Sequence, residues 1–207
     1  MSEVREYTTV RREASDEFEE RKSVFIGHAR HIDTEEEALE FIKKKKKEFY
    51  DATHNVYAYI LSGGNVARYS DDGEPQGTGG IPILETIKKS GVSDVCVVVT
   101  RYFGGILLGA GGLVRAYSHG ASVALAAAEI VTYRRHFVYE LTCNYTNYQK
   151  YLFELNRAGI LVEDTVFDAD VTVRFALLPD VAESFVKRIV EISGGKELPR
   201  MIDEKFC

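Results

Sequence analysis

Residues 97–117 constrain the fold of this chain more than any other stretch, because three structural signals follow one another directly. Residues 95–99 are apolar and mostly β-branched, which is typical of a strand that is covered on both faces. Glycines follow at positions 104, 105, 109, 111 and 112. From Leu113 onward the apolar residues recur at helical spacing. The stretch therefore predicts a strand, a glycine loop (residues 103–112) and a helix.

The glycine loop is compatible with two roles. A helix that begins after glycines presents unpaired N–H groups and a partial positive charge, which attract an anion such as phosphate. Arg101 and Arg115 flank the loop and add to that attraction. The loop is not a Walker A loop, since no Gly-Lys-Ser/Thr follows, and Val114 stands where a dinucleotide fingerprint needs a small residue. The other role is structural, in which the glycines permit a tight turn and close packing of the helix on the sheet.

Charge and cysteine content limit the classes of function. The chain of 207 residues has a formal net charge of −6, which disfavours indiscriminate binding of nucleic acid, so an RNA contact would have to be local. Cys96, Cys143 and Cys207 are too few and too far apart for a disulfide framework or a zinc cluster. The sequence has neither a signal peptide nor an apolar run long enough to span a membrane, which predicts a cytoplasmic protein.

The first half of the chain carries both strand and helix patterns. Strands are predicted at 7–12, 23–31, 55–61, 66–70 and 95–99, and helices at 34–50, 82–89 and from 113 onward. The charged residues 15–22 are expected to connect the first two strands, and Gly63-Gly64-Asn65 is expected to form a hairpin turn.

The first predicted helix carries the one basic block of the chain. Thr34 and Glu37 have the spacing of a capping box, and an apolar stripe runs through Leu39 and Ile42. Five consecutive lysines at 43–47 go right round a helix, so most of them form a solvated face, with Lys46 along the core edge. The alternative is a contact with RNA or an acidic partner.

The segment 70–82 places three carboxylates, Asp71, Asp72 and Glu74, among glycines just before a helix. Such a loop is compatible with metal binding or acid–base chemistry, but its spacing does not match an EF-hand. A turn in which the Asp side chains bond nearby backbone N–H groups is the favoured interpretation. Among the five scattered histidines, only His54, at the entry of the strand before this loop, is a candidate site residue.

After Arg135 the pattern starts again. Strands are predicted at 137–145, 160–167, 171–177 and 196–202, with two helices between them that are capped by Thr146 with Gln149 and by Asp180 with Glu183. This βαββαβ order is that of the ferredoxin-like fold. The sequence therefore predicts two domains, 1–135 and 136–207.

The two glycine-containing stretches together resemble the YigZ/IMPACT family. The resemblance is carried by SDDGEP at 70–75, GT at 77–78, VVTRYFGGILLG at 98–109 and GGLVRAY at 111–117, and it extends over essentially the whole chain. It implies an α+β protein whose first domain has a ribosomal-protein-type α/β fold, as in domain IV of elongation factor G. The second domain is then ferredoxin-like and similar to domain V of that factor.

The same resemblance implies a role in translation. The eukaryotic relatives regulate translation by competing for an activator of a stress-responsive initiation-factor kinase, and the bacterial ones are suspected of binding RNA or the ribosome. The leading hypothesis is therefore a non-enzymatic protein that binds RNA, the ribosome or a translation-associated protein. The alternative is a small hydrolase or phosphotransferase that uses the acidic loop and the glycine loop.

The hypothesis names binding residues and no catalytic residue, metal, cofactor or membrane contact, and it leaves the oligomeric state open. The predicted binding residues are His54, Asp71, Asp72, Glu74, Arg101, Tyr102, Gly104, Gly105, Gly111, Gly112 and Arg115.

Overall fold

A computed structural model describes residues 6–61, 65–160 and 162–207. Two compact units make up the chain: Tyr7–Thr132 forms one, and Tyr133–Cys207 belongs to the other. Each described unit combines helices with an antiparallel sheet, so the predicted α+β fold class is confirmed. None of the helices in the described residues is long and apolar enough to cross a membrane.

The first unit is built on an antiparallel sheet in the order β2-β3-β6-β4-β5. Its strands and the preceding β1 are β1 Glu6–Val10, β2 Ala14–Glu20, β3 Ser23–His31, β4 His54–Leu61, β5 Val66–Ser70 and β6 Val95–Tyr102. The helices are α1 Glu35–Glu48, α2 Gly80–Lys89 and α3 Ala110–Ala127. The predicted hairpin is present as the β4–β5 pair, but residues 62–64 of its turn lie outside the described residues.

Strand β6 is central in this sheet and is covered on both faces, as its sequence predicts. Val95, Val97 and Val99 belong to the apolar cluster that includes α2 and α3, whereas Cys96 and Val98 belong to the cluster that includes α1. All five side chains are fully buried. The strand extends beyond residue 99 to Tyr102, which places Arg101 within the sheet.

Helix α3 packs closely on the sheet through two glycines. A Cβ atom built on Gly27 of β3 would lie 2.1 Å from the carbonyl oxygen of Gly120 in α3. A Cβ atom on Gly120 would in turn lie 2.8 Å from Val99 Cγ1. Because no side chain fits at either position, the backbones of helix and strand approach each other directly.

The expectation that residues 15–22 form a charged connection is wrong, because most of them belong to strand β2. This strand pairs with β3 in antiparallel register along its whole length, from Ala14 opposite Ala29 to Glu20 opposite Ser23. It lies at the edge of the sheet, where its charged side chains remain exposed, and only Ala14 and Phe18 pack on the core. Charged residues on an edge strand hide the strand pattern from the sequence.

Helix α1 begins as predicted, but it presents a different face to the core. Thr34 Oγ1 accepts a hydrogen bond from the Glu37 backbone N–H at 3.2 Å, which is half of the expected capping box. Leu39 is 53% exposed, and Lys45, not Lys46, is the buried lysine. Ile42 is buried as predicted, and the other buried residues of the helix are Ala38, Phe41 and Lys45.

The second unit follows the predicted βαββαβ order. Its elements are β7 Ile130–Cys143, α4 Tyr145–Arg157, β8 Val162–Phe167, β9 Val171–Leu177, α5 Pro179–Ser193 and β10 Arg200–Phe206. The strands lie in the order β10-β7-β9-β8, and β1 also pairs with β7. The alternating side chains of β9 are buried against α4 and α5, as its sequence predicts. The ferredoxin-like topology is thereby confirmed.

Several element ends in this unit differ from the sequence predictions. Strand β7 spans Ile130–Cys143 instead of residues 137–145, and β8 begins at Val162 instead of residue 160. Helix α4 is capped by Asn144, whose side chain accepts from the Asn147 N–H at 2.8 Å, and not by Thr146. Helix α5 starts at Pro179, and its N-cap Leu178 makes no side-chain cap. The last strand is β10 at Arg200–Phe206 instead of residues 196–202. Proline at the first helical position and a neighbouring Asn each supply a start signal that competes with the predicted caps.

Autonomous folding of the segment 136–207 remains a prediction. The segment contains nearly all of the described βαββαβ set and an apolar cluster around Phe175, so the isolated fragment is expected to unfold cooperatively. Thermal unfolding followed by circular dichroism checks this expectation. A fragment without a cooperative transition would show that the domain limits 1–135 and 136–207 are wrong.

Candidate functional site

Asp71 organises the backbone of the acidic loop. Its Oδ1 accepts hydrogen bonds from the N–H groups of Gly79 and Gly80 at 3.0 and 2.8 Å, and its Oδ2 accepts from the Gly77 N–H at 2.8 Å. Gly79 is the N-cap of α2 and has no side chain of its own for capping. The Asp71 carboxylate thus replaces the missing cap and fixes the loop against the start of α2.

Asp72 joins the loop to α1 and β4. Its Oδ2 accepts from the Asn55 backbone N–H at 2.7 Å, and its Oδ1 lies 2.5 Å from Lys46 Nζ. The main chain of Asp72 has a φ of +46°, and its carbonyl oxygen accepts from His54 Nδ1 at 2.8 Å. Both aspartates are therefore engaged by neighbouring groups. In the described residues no group of three or more His, Cys, Asp and Glu side chains is arranged to hold a metal ion.

Glu74 is buried and pairs with two side chains from other elements. Its Oε1 accepts from Arg101 Nη1 of β6 at 2.6 Å and from the Tyr117 hydroxyl of α3 at 2.7 Å. The side chains of Glu74 and Arg101 are only 3% and 6% exposed. Burial, together with the hydrogen bond to Glu74, raises the pKa of Tyr117 well above its usual range, so that Tyr117 remains a neutral donor. The acidic loop, β6 and α3 are thus joined by one buried polar cluster.

Two nitrogen atoms beside this cluster lack hydrogen-bond partners in the described part of the chain. Arg101 Nε is buried and has no acceptor, although its guanidinium lies over the rings of Phe25 and Phe103. His54 must carry its proton on Nδ1, because a carbonyl oxygen can only accept. Its Nε2 lies 3.9 Å from Glu74 Oε1, which is too long for a hydrogen bond.

A cleft of about 390 Å³ lies between these groups and the glycine loop, and we call it the His54 cleft. Its lining combines the polar side chains of His54, Glu74 and Arg101 with apolar residues and the start of α3. The lining residues are Thr53, His54, Gly73, Glu74, Pro75, Arg101, Phe103, Leu107, Leu108, Gly109, Ala110 and Leu113.

The glycine loop crosses the β2–β3 turn at very short range. A Cβ atom built on Gly104 would lie 1.9 Å from the Lys22 carbonyl oxygen, and the Gly104 N–H donates to Ser23 Oγ at 3.2 Å. Gly105 takes a φ of +83°, which a residue with a side chain adopts only with strain. These contacts fix the conformation of the loop. Its apolar side chains are nevertheless exposed to solvent: Leu107 is 80% exposed, and Phe103 and Ile106 are 45% and 41% exposed.

The remaining predicted binding residues lie outside the cleft lining. Tyr102 points to the opposite face from Arg101, and its hydroxyl donates to Asp51 Oδ1 at 2.9 Å. Gly111 and Gly112 belong to the first turn of α3, which begins at Ala110 and not at residue 113. Arg115 follows on the exposed side of that helix, and no carboxylate of the described residues pairs with it.

The structure thus brings together only part of the set predicted from sequence. His54, Glu74 and Arg101 line the same cleft, whereas the carboxylates of Asp71 and Asp72 accept from backbone N–H groups. Tyr117, Phe103, Leu107 and Leu108 were not predicted as site residues. The two leucines belong to a run of three apolar residues, 106–108, that lies between two glycines. Such an apolar run is unusual for a turn, and it is the sequence signal from which these residues could be found.

Among the other histidines, His28 is held in a buried network. Thr100 Oγ1 donates to Asn55 Oδ1 at 2.7 Å and therefore accepts from His28 Nε2 at 3.3 Å. His28 Nδ1 then accepts from Ser15 Oγ at 2.7 Å. Burial, with a contribution from the Lys45 charge, lowers the pKa of His28 to about 4. This histidine is a neutral structural element of the sheet.

Comparison with known proteins adds relatives that cover most of the chain. Residues 21–125 match the family described as Impact N-terminal domain, and residues 141–196 match a domain of unknown function, DUF1949. The IMPACT family member YvyE of Bacillus subtilis is 38% identical over 191 residues, which cover 92% of this chain and 88% of that protein. YigZ of Escherichia coli is 35% identical over 180 residues, covering 84% and 87%.

A solved structure agrees with this assignment. The crystal structure of a hypothetical protein aligns with a TM-score of 0.61 and 30% sequence identity, over 97% of this chain and 98% of that one. The family predicted from the two glycine-containing stretches is confirmed by these matches. The chain is a member of the IMPACT family.

Proposed function

We propose that this protein regulates translation by binding the ribosome, RNA or a translation-associated protein through the glycine loop. The binding surface consists of exposed apolar side chains and cations, and we call it the loop surface. Its members are Arg21, Lys22, Phe103, Ile106, Leu107 and Arg115. Membership in the IMPACT family and the regulatory role that the resemblance implies for eukaryotic relatives support a function in translation.

The observation that carries the proposal is the exposure of Leu107 beside neighbouring cations. Leu107 is 80% exposed and lies next to the exposed Ile106 and close to Phe103 in the same loop, and adjoining exposed apolar side chains are typical of a contact site. Arg21 reaches this loop, with its Nη1 3.5 Å from the Leu107 carbonyl oxygen, and Lys22 approaches Gly104 through its backbone. Among the described residues, none of the cations of the loop surface is in an ion pair, so each is free to meet an anionic partner.

Two features of the polar groups make a catalytic role the weaker alternative. Asp71 and Asp72 are occupied by backbone N–H groups and Lys46, and Glu74 is held by Arg101 and Tyr117. A hydrolase or phosphotransferase that uses this loop needs a carboxylate free to take a proton or bind a metal. A binding function needs only the exposed surface.

The outer face of the second sheet gives less support to RNA binding. Glu140 and Arg174 pair across β7 and β9 at 3.0 Å, and Thr142 and Thr172 hydrogen-bond at 3.1 Å. Recognition of single-stranded RNA on such a sheet uses aromatic side chains on its central strands. The inward-facing aromatic residues of these strands, Phe137, Tyr139 and Phe175, belong instead to the apolar cluster. The loop surface of the first unit is therefore the preferred contact.

Charge reversal at Arg115 tests the proposal. The wild-type protein is expected to cosediment with ribosomes of the same organism at low salt and less at higher salt. Arg115→Glu is expected to weaken this association by about tenfold or more, because a charge reversal adds repulsion to the lost attraction. Since Arg115 is exposed and unpaired in the described residues, the fold should be unchanged, which circular dichroism checks.

Lys47→Glu is the matched control. Lys47 is exposed on α1, which packs on the opposite sheet face from α3, and it undergoes the same change of charge. Cosedimentation of the control should stay within about twofold of wild type. Equal binding by wild type and Arg115→Glu would exclude the loop surface, and a loss confined to Lys47→Glu would place the contact on the lysine-rich helix.

A further inference from the structure

Two hollows lie side by side between helices α4 and α5, with volumes of about 280 and 440 Å³. Glu154 and Arg188 line both hollows, so the two form one groove, which we call the α4–α5 groove. On α4 its lining extends from Gln149 to Arg157, and on α5 from Val181 to Ile192. From the rise per residue of a helix, the groove is about 15 Å long, which corresponds to roughly three helical turns.

The lining of the groove is positively charged, although the segment around it is acidic. Lys150, Arg157 and Arg188 line the groove together with one carboxylate, that of Glu154, so three positive charges and one negative charge leave +2. The segment 136–207 as a whole has eight Lys and Arg residues against twelve Asp and Glu residues. Within the part of the chain that the structure describes, Lys150 lies in no ion pair, and its Nζ donates to Asn147 Oδ1 at 3.3 Å. The groove is therefore a local site of attraction for acidic groups.

Glu154 fixes the positions of the two arginines. Its side chain is buried, its Oε2 accepts from Arg157 Nη2 at 2.8 Å, and its Oε1 accepts from Arg188 Nη2 at 3.1 Å. Arg188 also lies 3.7 Å from the exposed Glu191. Each guanidinium has five N–H donors, and the two side chains are 64% and 48% exposed, so donors remain for a further acceptor. A carboxylate of a partner can accept from them in charge-assisted hydrogen bonds.

Exposed apolar side chains lie beside these cations. Phe153 lines the larger hollow and is 66% exposed, and Val181 lines the smaller hollow and is 43% exposed. Aromatic and arginine side chains are enriched where proteins contact one another. Because the lining is so exposed, a small molecule would remain largely in water here, whereas small-molecule sites bury most of their ligand. The groove is therefore better suited to the side chains of a protein partner.

The distribution of charge favours separate carboxylates over a continuous anionic surface. Two of the three cations are already bonded to Glu154, and the surrounding segment carries an excess of acidic residues. This excess would repel a chain of phosphates or an anionic membrane. An amphipathic helix with an apolar stripe and flanking carboxylates avoids this repulsion, and a groove between two helices is a common docking site for such a helix.

We propose that the α4–α5 groove binds an acidic amphipathic helix of a partner protein. The carboxylates of that helix meet the three cations of the groove, and its apolar stripe packs on Phe153 and Val181. This binding goes beyond the proposed role in translation and does not depend on it, because the loop surface belongs to the first unit and the groove to the second.

The test uses the full chain and a synthetic peptide of about 14 residues, or four helical turns, with leucines on one stripe and glutamates beside it. Binding is followed by fluorescence anisotropy of the labelled peptide. The acidic peptide is expected to bind at least about fivefold more tightly than the same peptide with glutamine in place of glutamate. It should also bind at least about fivefold more tightly than a scrambled peptide, which has no apolar stripe. In ¹H–¹⁵N NMR the shifted amides should be those of residues 149–158 and 181–192.

Variants in the groove separate its charge from its apolar surface. Lys150→Glu is expected to weaken binding of the acidic peptide by about tenfold, because repulsion replaces attraction. Lys196→Glu is the matched control and should stay within about twofold of wild type, since Lys196 is exposed beyond the end of α5 and does not line the groove. Phe153→Ala is expected to weaken binding by about fivefold through lost apolar contact. Lys150 and Phe153 are exposed, so these variants should fold, which circular dichroism checks.

The remaining outcomes contradict the proposal. Equal binding of the glutamate and glutamine peptides would mean that the groove does not recognise acidic groups. Tighter binding of poly(U) RNA that is lost in Lys150→Glu would make nucleic acid the occupant, and dimerisation that is lost in Phe153→Ala would make it a second copy of this chain. Neither variant changes the loop surface, so failure of this proposal is distinguishable from failure of ribosome cosedimentation.

Discussion

Replacing Glu74 by Ala is expected to lower the free energy of unfolding by about 3–5 kcal/mol, because it leaves the Arg101 charge buried without its carboxylate. Glu74 is also the acceptor for the buried Tyr117 hydroxyl, so the substitution removes a partner from two side chains at once. Urea denaturation followed by circular dichroism measures the change. The loss of stability is expected for the protein alone, because it follows from contacts within the buried cluster and does not require a bound partner.

An exposed ion pair provides the control for this substitution. Glu85 lies 2.9 Å from Lys88 on α2, and both side chains are about half exposed. Glu85→Ala is expected to change the free energy of unfolding by less than about 1 kcal/mol, because water screens exposed pairs. The double variant Glu74→Leu with Arg101→Met should recover part of the lost stability, since it removes both buried charges. Similar effects of Glu74→Ala and Glu85→Ala would contradict the burial of the Glu74–Arg101 pair.

Gly104→Ala is expected to lower the free energy of unfolding by about 1–3 kcal/mol, since the added methyl group overpacks a closed contact. Its Cβ would lie 1.9 Å from the Lys22 carbonyl oxygen and 2.5 Å from the Ser23 nitrogen. Both are backbone atoms, so the clash is relieved only if the glycine loop or the β2–β3 turn moves. The same urea denaturation measures the loss.

Gly111 offers a matched glycine in the same loop. Its added Cβ would meet nothing closer than Arg115 Nη1 at 3.7 Å, which is the end of a flexible side chain. Gly111 lies in the first turn of α3, where alanine is a better helix former, so Gly111→Ala should leave stability unchanged or raise it by up to about 1 kcal/mol. Equal losses at Gly104 and Gly111 would mean that the loop does not cross the β2–β3 turn as described.

The elements predicted correctly from sequence are those whose side-chain pattern is determined by burial alone. The boundaries of β3 and β9 were correct because apolar residues fill their core-facing positions. Strand β2 was missed because an edge strand needs few apolar residues, and its structure depends on backbone pairing with β3. The Gly27–Gly120 contact was also out of reach, since sequence spacing does not say which strand a helix crosses.

The candidate site was less predictable than the fold. Glu74 and Arg101 were both selected from their motifs, but the buried bond between them joins residues 27 positions apart. Tyr117 was missed as a partner because its direction depends on the rotation of α3 relative to the sheet. Arg115 lies outside the cleft lining, on the exposed side of α3, and this helix begins at Ala110, earlier than the apolar spacing indicated.

The central claim is that the loop surface contacts a partner in translation, and amide hydrogen exchange tests it most directly. Exchange of the full chain is measured by mass spectrometry with and without ribosomes of the same organism, under the salt conditions of cosedimentation. Peptides that contain residues 103–113 and the β2–β3 turn at Arg21 are expected to gain protection in the complex. Protection confined to peptides from the segment 136–207, with residues 103–113 unchanged, would contradict the account.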